Sequence, residues 1–296
     1  MNVIITGATG FIGQHLQASL KEHHHILGLT DDKTLVSAEI LYLNLLDDKQ
    51  IEAFGRKYKA GKIDGIIHLA AAMADPMAKK DSNLLKNNLQ VAVNTARLAE
   101  LIKPQFFINF SSVAVYPNKD GFYTESSAVD MVENNDVFYG LAKFNAEVLF
   151  ERMLSDKMTV TQLRLAQIIG KGMRPDRILP VFFKELRDGN QITVFGNGHR
   201  VINFIFTDEV VAVLKKILKQ PVSGIFNLGS DEQYTLGEIA GYMVKQYGNK
   251  ATKLVLRKDG LRCQQKIVSA KLKKEWNIKN IPFKLDKLKV IENAKA

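Results

Sequence analysis

Residues 1–165 alternate between two hydrophobic patterns. Short, nearly continuous apolar runs are typical of buried strands, and longer segments repeat apolar positions at helical spacing. In one of the longer segments, Ile51, Phe54 and Tyr58 recur on a single helical face. The predicted strands are Val3–Thr6, His25–Leu29, Ile40–Leu43, Ile63–Leu69, Phe106–Phe110 and Thr159–Leu165, and the predicted helices are Phe11–Lys21, Asp47–Tyr58, Asn83–Ile102 and Val137–Leu154.

This alternation predicts an α/β protein with a doubly wound parallel sheet, the Rossmann arrangement. Strands that are apolar throughout need helices on both faces of the sheet, and strand–helix repeats supply them. Ligands of such sheets bind beyond the carboxyl ends of the strands. The residues that end each strand are therefore the first candidates for a functional site.

Beyond residue 167 the alternation is less regular and predicts a smaller C-terminal lobe. No repeat or low-complexity linker separates the two parts. We predict a first domain over residues 1–167, to which 203–229 return, and a smaller lobe formed by 168–202 and 230–296. The two would meet over the active-site cleft. The predicted elements are helices at Arg177–Asp188, Thr207–Leu218, Thr235–Tyr247 and Ser269–Trp276, and strands at Ile192–Val194, Phe204–Phe206 and Ile225–Asn227.

Composition narrows the class of protein. Of the 296 residues 46% are hydrophobic and 24% are charged, which supports a large core and excludes disorder for most of the chain. No apolar run approaches the ~20 residues of a membrane span. A secretory signal has a basic stretch before its apolar run, and the first apolar run here has none, so we do not expect a secretory signal. Cys263 is the only cysteine. Because it cannot form an internal disulfide, we expect a cytoplasmic location.

The net charge of +10 is concentrated near the C-terminus. Basic residues outnumber acidic ones by 14 to 4 in residues 250–296 and balance them in the rest of the chain. Such a segment can bind nucleic acid or an anionic membrane, or it can be a solvated surface near a phosphate-bearing substrate. It lacks the interleaved aromatic residues and Arg-rich pattern of nucleic-acid binders. We therefore expect a small-molecule substrate, with no nucleic-acid or membrane partner.

A glycine-rich turn follows the first predicted strand and opens the first helix. Its spacing is G-x-x-G-x-x-G, at Gly7, Gly10 and Gly13. In a strand–turn–helix context the first glycine permits a tight turn, the second lets the backbone approach a pyrophosphate, and the third lets the helix pack closely on the strand. The helix N-terminus then faces the phosphates. The first domain is thus predicted to bind a dinucleotide and the smaller lobe to bind substrate.

The end of the second strand bears on the choice between NAD and NADP. An acidic residue there selects NAD and a nearby Arg selects NADP. This chain has Thr30 at the expected position, followed by Asp31, Asp32 and Lys33. Asp31 would repel a 2′-phosphate, whereas Lys33 could attract one. The pattern favours NAD, with NADP as the alternative.

Three residues form a proton-transfer pattern. Tyr139 and Lys143 lie at i and i+4 on a predicted helix, so they project from one face. A lysine ammonium there lowers the pKa of the phenol, so Tyr139 can exchange a proton with a carbinol oxygen. Ser112, at the end of a strand, can bond the same oxygen. Lys143 can also hold the nicotinamide ribose. Hydride then moves between C4 of the nicotinamide and the substrate carbon.

With these motifs the chain resembles the extended short-chain dehydrogenases/reductases of the NAD-dependent epimerase/dehydratase family, which act mostly on nucleotide sugars. The resemblance implies that Ala70 and Ala71 border the cofactor and that Asn44 replaces an Asp near the adenine. The matching segments are Thr6–Gly13, His68–Ala71, Asn88, Ser111–Tyr116, Tyr139–Lys143, Arg164–Gly170, Phe195–Gly198, Phe204–Asp208, Asn227–Ser230 and Ser269–Trp276.

The turn, the strand ends and the resemblance together give three sets of predicted site residues. The catalytic residues are Ser112, Tyr139 and Lys143. The cofactor-binding residues are Gly7, Thr9, Gly10, Phe11, Ile12, Gly13, Thr30, Asp31, Asn44, Leu45, Leu69, Ala70, Ala71, Asn88, Tyr139 and Lys143. The substrate-binding residues are Ser111, Ser112, Gln167, Arg200 and Arg262.

The chain departs from the family's pattern at three further places. The family's dehydratases have an acidic pair where Val113 and Ala114 stand, and elimination of water needs an acid and a base, so 4,6-dehydration is not expected. Gln167 stands where the family usually has Asn. Many members bind the diphosphate with an Arg at the position of Ile202, so Arg200 and Arg262 become the candidates here.

These observations favour an NAD-dependent nucleotide-sugar 4-epimerase. A 4-keto-sugar reductase that uses the same three residues once is the first alternative, and a catalytically silent dinucleotide sensor is the second. By the resemblance we expect a homodimer through the helices Asn83–Ile102 and Val137–Leu154, with Leu85, Leu89, Ala92, Ala96 and Phe150 as apolar contacts. We expect no metal site, because neighbours among His23, His24 and His25 would alternate across a strand.

Overall fold

The computed structural model describes residues 1–59, 61–72 and 82–292. The helices are α1 (Phe11–Leu20), α2 (Asp48–Lys57), α3 (Asn83–Ile102), α4 (Val137–Leu154), α5 (Ile178–Gly189), α6 (Thr207–Lys219), α7 (Leu236–Tyr247) and α8 (Ala270–Glu275). The strands are β1 (Asn2–Thr6), β2 (His25–Thr30), β3 (Ile40–Tyr42), β4 (Gly65–His68), β5 (Phe106–Ser112), β6 (Gly121–Tyr123), β7 (Thr159–Leu165), β8 (Gln167–Ile169), β9 (Gln191–Val194), β10 (Phe204–Phe206), β11 (Gly224–Leu228), β12 (Lys253–Leu256) and β13 (Gln265–Ile267). Short 3-10 helices span Lys33–Leu35, Val113–Val115, Gly196–Gly198 and Leu285–Ile291.

A seven-stranded sheet has the strand order β11-β7-β5-β4-β1-β2-β3. Strands β1 to β5 and β7 pair in parallel where they are neighbours. The chain leaves β1 in one direction for β2 and β3 and returns on its other side for β4 and β5, so the strand order reverses between β1 and β4. Thr6 pairs with His68 at this switch point. The doubly wound parallel sheet predicted from the sequence is confirmed.

Two compact units make up the chain. The first contains residues 1–117, 128–165 and 211–227, and the second contains 118–127, 166–210 and 228–296. The segment that joins the first unit late in the chain thus runs from 211 to 227, and residues 118–127 belong to the second unit.

One hydrophobic core of the first unit lies between the sheet and helices α2, α3 and α4. Phe107 of β5 packs on Phe150 of α4, with ring centroids 4.6 Å apart, and both side chains are fully buried. Helix α3 contributes Ala92, Ala96 and Ala99, whose small side chains let it lie close to its neighbours. This packing fixes α4 on the sheet, and α4 carries two of the predicted catalytic residues.

The second unit contains three two-stranded parallel pairings, β8 with β10, β9 with β12, and β6 with β13. Its core includes Phe283, whose ring stacks on those of Phe204 and Phe206 at centroid distances of 5.7 and 5.3 Å. Ser230 and Asn203 join the core through their own hydrogen bonds: Ser230 Oγ donates to the Phe204 carbonyl, and Asn203 Nδ2 donates to the Ser230 carbonyl.

Predicted elements of the first unit agree with the observed ones to within two residues at each end, whereas strands of the second unit were missed. The sequence pattern did not predict strands at β6, β8, β12 and β13. Each is only three or four residues long and pairs with a strand far away in sequence, so a local pattern carries little signal. His23 and His24 precede β2 in a turn, so the assumed strand alternation applies only from His25. Within the described residues, no helix combines the length and apolar character needed to cross a membrane.

Candidate functional site

The glycine turn between β1 and α1 has no room for side chains. Gly7 has φ +66°, and a Cβ atom there would lie 3.0 Å from the Ala70 backbone. At Gly13 a Cβ atom would lie 2.3 Å from the Gly7 carbonyl oxygen. The Gly13 contact is too short for any other residue, and the positive φ of Gly7 strains any other residue there. Through Gly7 the turn lies directly against the chain that follows β4. This matches the roles predicted for the first and third glycines.

Helix α1 begins immediately after Gly10, which adopts an extended backbone and has no side chain to cap the helix. The first turn of α1 contains no acidic residue. Its first amide groups, including those of Phe11 and Ile12, have no acceptor within the helix and lie at the positive end of its dipole. The arrangement is that of a phosphate-binding helix N-terminus.

The ends of β1 and β4 are joined by hydrogen bonds through Thr6. Its hydroxyl oxygen accepts from the amides of Leu69 and Ala70, each at 3.2 Å, and lies 2.8 Å from His68 Nδ1. Because the oxygen already accepts two amides, we assign the hydroxyl proton to the bond with His68, which requires a neutral imidazole. Burial agrees, since it lowers the pKa of His68 to about 3.

Asn88 of α3 holds the next part of this chain. Its Oδ1 accepts from the Ala72 amide at 2.7 Å, and its Nδ2 donates to the Ala72 carbonyl at 2.9 Å. With the Thr6 bonds, this fixes residues 69–72 beside the glycine turn. The predicted cofactor contacts Leu69, Ala70, Ala71 and Asn88 are thus brought together with Gly7.

The end of β2 also lies next to the turn. Thr30 Oγ1 is 3.0 Å from Thr9 Oγ1 and accepts from the Asp32 amide. Asp32 in turn caps the short helix Lys33–Leu35. The Lys33 ammonium lies over the Tyr42 ring, 5.1 Å from its centroid. Thr30 therefore ties β2 to the turn, and the exposed Asp31 stays the predicted contact for the adenosine ribose.

Beyond β3, the two residues predicted to lie near the adenine are also held in place. Asn44 Oδ1 accepts from the Leu46 amide at 3.0 Å. The Leu45 carbonyl accepts from Asn94 of α3 at 2.8 Å. These bonds fix the loop between β3 and α2, and the side-chain amide of Asn44 keeps its two donor hydrogens on Nδ2 for an acceptor such as a base edge.

The predicted catalytic residues lie where α4 meets the end of β5. A Cβ atom at Gly140 would lie 2.4 Å from the Ala114 carbonyl oxygen, so the first turn of α4 touches the short helix that follows Ser112. Asn134 strengthens this contact by donating to the carbonyls of Ala114 and Tyr116, at 3.0 and 2.8 Å. Tyr139 and Ser112 are thereby carried by two segments in direct contact.

Lys143 lies one turn after Tyr139 and is buried. Its ammonium donates to the Phe110 carbonyl of β5 at 2.8 Å and lies 5.8 Å from the centroid of the Tyr139 ring. Burial lowers its pKa to about 8, opposed by the negative charge of Glu147. A lysine has three donor hydrogens, and Phe110 uses one. Lys143 can therefore stabilise a Tyr139 phenolate and still donate to a ribose.

Ser111 and Ser112 are adjacent but have different surroundings. Ser112 Oγ accepts from the Ala114 amide at 3.1 Å, which leaves its own proton for donation. Ser111 is buried, and its hydroxyl donates to Glu147 Oε1 at 2.5 Å. The proton of Ser111 is thus used inside the protein, whereas Ser112 is partly exposed at the strand end.

The remaining predicted substrate contacts belong to the second unit. Gln167 is partly exposed on β8, with its backbone amide bonded to the Asn203 carbonyl. Within the described part of the chain, the buried Nε of Arg200 has no hydrogen-bond partner. Arg262 is exposed and donates to the Lys258 carbonyl at 2.9 Å. Residues 1–59, 61–72 and 82–292 contain no group of three or more His, Cys, Asp or Glu arranged to hold a metal ion.

Four residues that support this site were not among the predicted site residues. Glu147, Arg164, Gly140 and Asn134 fix α4 and the turn after β5. Only Glu147 gave a local signal, because it follows Lys143 at i+4 on the same helical face. The contacts of the other three join residues far apart in sequence.

Comparisons with known proteins identify the family of the chain. The sequence profile of the NAD dependent epimerase/dehydratase family matches residues 3–229. The chain is 26% identical over 264 residues to a dTDP-D-glucose 4,6-dehydratase from Dictyostelium discoideum, which aligns 80% of this chain but only 60% of that protein. It is 24% identical to an uncharacterised UDP-glucose epimerase from Bacillus subtilis, over 85% of this chain and 84% of that one.

Solved structures share the fold. A UDP-glucuronic acid 4-epimerase from Bacillus cereus, solved in complex with NAD, superposes with a TM-score of 0.79 over 99% of this chain and 98% of that one, at 22% identity.

Proposed function

The chain belongs to the NAD dependent epimerase/dehydratase family, and from this premise we propose that it is a nucleotide-sugar 4-epimerase. The protein is an enzyme of the extended short-chain dehydrogenase/reductase type and its cofactor is NAD. When bound, NAD supplies the acceptor and then the donor of the hydride that leaves and returns to the sugar carbon. Gly7 and Gly13 fit this cofactor, because a Cβ atom at either would clash in the turn.

In the proposed reaction the chain itself moves one proton. Tyr139 takes the proton of the sugar 4-hydroxyl and returns it after the keto sugar is reduced on its other face. Lys143 makes this possible by stabilising the phenolate, and Ser112 donates a hydrogen bond to the same oxygen. The observation that carries the proposal is the contact of α4 with the end of β5, which supports Tyr139, Lys143 and Ser112 together.

The side chains that follow Ser112 support epimerisation over dehydration. Val113 and Ala114 form the short helix after β5 and have no group that can give or take a proton. Elimination of water would need both an acid and a base at this place. We therefore do not expect dehydratase activity, although one of the relatives is a dehydratase.

Identification of the bound cofactor and of the product tests the proposal. The purified protein is denatured, the released nucleotide is identified, and a panel of nucleotide sugars is screened by mass spectrometry and NMR. We expect NAD that co-purifies, and a product of unchanged mass with inverted C4. An empty site that consumes NADPH would indicate the alternative reductase, and bound NAD with no product would indicate a binding protein.

We further propose that Arg200 and Arg262 bind the substrate's diphosphate. Two phosphates need charge-assisted donors, and the buried Nε of Arg200 lacks a partner within the described residues. Arg200→Ala and Arg262→Ala should each raise the substrate KM by ~10-fold or more with little change in NAD affinity. Arg257→Ala is the matched control, since Arg257 is an exposed arginine paired with Asp259. An unchanged KM in both test variants would remove these residues from the site.

The homodimer predicted from the resemblance also stays a proposal. Ala92, Ala96 and Phe150 are buried within their own chain, so they cannot form the contact between subunits. Leu89 of α3 and Val148 of α4 keep 37% and 45% of their surface exposed and are the better candidates. We expect light scattering at micromolar concentration to give a dimer mass.

Two charge insertions test the same surface. Leu89→Lys combined with Val148→Lys should give a monomer. Val290→Lys, at an exposed valine of the second unit, should leave the dimer intact. A monomer for the unaltered protein would contradict the proposal.

A further inference from the structure

A layer of buried polar side chains lies between α4 and the sheet. Glu147 is its centre, 2% exposed, and accepts from Arg164 through Nε and Nη2, the latter at 2.7 Å. Arg164 of β7 also donates to the Tyr116 hydroxyl, which donates to Asn227. Gln162 donates to the Glu147 carbonyl. The layer therefore connects α4 with β5, β7 and β11.

Stability alone does not explain such a layer. Burial of an ion pair removes the hydration of both charged groups, and apolar side chains of the same volume often stabilise the folded state as well or better. Elsewhere in the same interface the chain uses apolar contacts, as at Phe107 and Phe150. Hydrogen bonds depend on direction and form in only one register of a helix on a sheet. Apolar faces can pack in neighbouring registers as well.

The register that Glu147 fixes is the one the catalytic residues need. Two successive turns of α4 attach to the end of β5: Lys143 donates to the Phe110 carbonyl, and Ser111 donates to Glu147. Tyr139 lies one turn before Lys143, and Ser112 directly follows Ser111. A shift of α4 by one residue would move Tyr139 by ~1.5 Å along the helix axis.

We propose that Glu147 is a positioning residue that, through Ser111, holds Tyr139 and Ser112 at one substrate oxygen. The inference rests on the proposed function for the identity of the reacting groups. Arg164 orients the carboxylate through its hydrogen bonds, and Ser111 links it to the strand. This gives Ser111 an inward role in place of the substrate contact predicted from the sequence.

Ser111→Ala is the sharpest test, because it removes the link to β5 and leaves the Glu147–Arg164 pair in place. We expect kcat to fall ~10-fold, while the sugar KM and the NAD affinity stay within twofold, since positioning acts on the transition state. Ser111→Thr restores the hydroxyl and should restore kcat. Ser223→Ala is the matched control, because that hydroxyl accepts from Val160 on the other side of β7.

Hydrogen–deuterium exchange provides a readout that needs no activity. Ser111→Ala and Glu147→Gln should both speed exchange in residues 137–143, and peptides of β1 and β2 should be unchanged. A raised sugar KM at constant kcat in Ser111→Ala would show a substrate contact and overturn the proposal. Unaltered kcat and exchange would also overturn it. If the unaltered enzyme epimerises no sugar, the proposed function fails, and faster exchange at 137–143 would still support the positioning role of Glu147.

Discussion

Tyr139→Phe is expected to lower turnover by ~100-fold or more while NAD stays bound. The substitution removes only the phenolic oxygen and keeps the ring that lies near the Lys143 ammonium. Proton transfer at the sugar oxygen then has no acid or base, but the glycine turn and the strand ends that are predicted to hold the cofactor are untouched. Turnover is measured by NMR on the sugar found active, and NAD binding by isothermal titration.

Tyr242→Phe is the matched control, because Tyr242 lies on α7 of the second unit. It should retain full turnover. If Tyr139→Phe kept rates near those of the unaltered enzyme, Tyr139 would not be the group that moves the proton.

Lys143→Ala is expected to damage both chemistry and cofactor binding. Its buried ammonium lies 5.8 Å from the centroid of the Tyr139 ring and donates to the Phe110 carbonyl with donors to spare. Without it, the Tyr139 phenolate loses a stabilising positive charge, and the ribose loses a charge-assisted bond. We expect turnover to fall by ~100-fold. The Kd for NAD should rise by ~10-fold, which is a loss of about 1.4 kcal/mol of binding free energy.

Lys143→Met separates the charge from the volume of the side chain. Methionine fills the buried space of the lysine stem and lacks the ammonium, so its defects should equal those of Lys143→Ala. A Met variant with normal turnover and NAD affinity would show that the lysine charge has neither role.

The carboxyl ends of the strands could be located from sequence because each signal is local. The glycine spacing, the apolar strand before it and the helix after it occupy one short segment, so together they are enough to predict that Gly7, Gly10 and Gly13 face a cofactor. Tyr139 and Lys143 are one helical turn apart, which places them on one face whatever surrounds the helix. The family and its NAD dependence, both inferred from these motifs, are confirmed.

Other contacts of the site could not be predicted from the sequence, because they join residues that lie far apart in the chain. The sequence does not show that Thr6 would bond the amides of Leu69 and Ala70, or that Asn134 would hold the turn at Ala114. In the amino-acid sequence nothing distinguishes Ser111 from Ser112. Only the packing of α4 on β5 turns Ser111 inward to Glu147.

By itself, the sequence determined the α/β class, the parallel sheet, the glycine turn and the Tyr139–Lys143 pair, because periodicity and short spacing define them within a few residues. The tertiary structure decided which polar groups are buried together. It paired Glu147 of α4 with Arg164 of β7 and placed Lys143 against a strand carbonyl. It also formed the short strands of the second unit, whose partners lie far away in the chain. Those outcomes depend on which distant segments become neighbours, and desolvation then selects the polar groups that can satisfy one another.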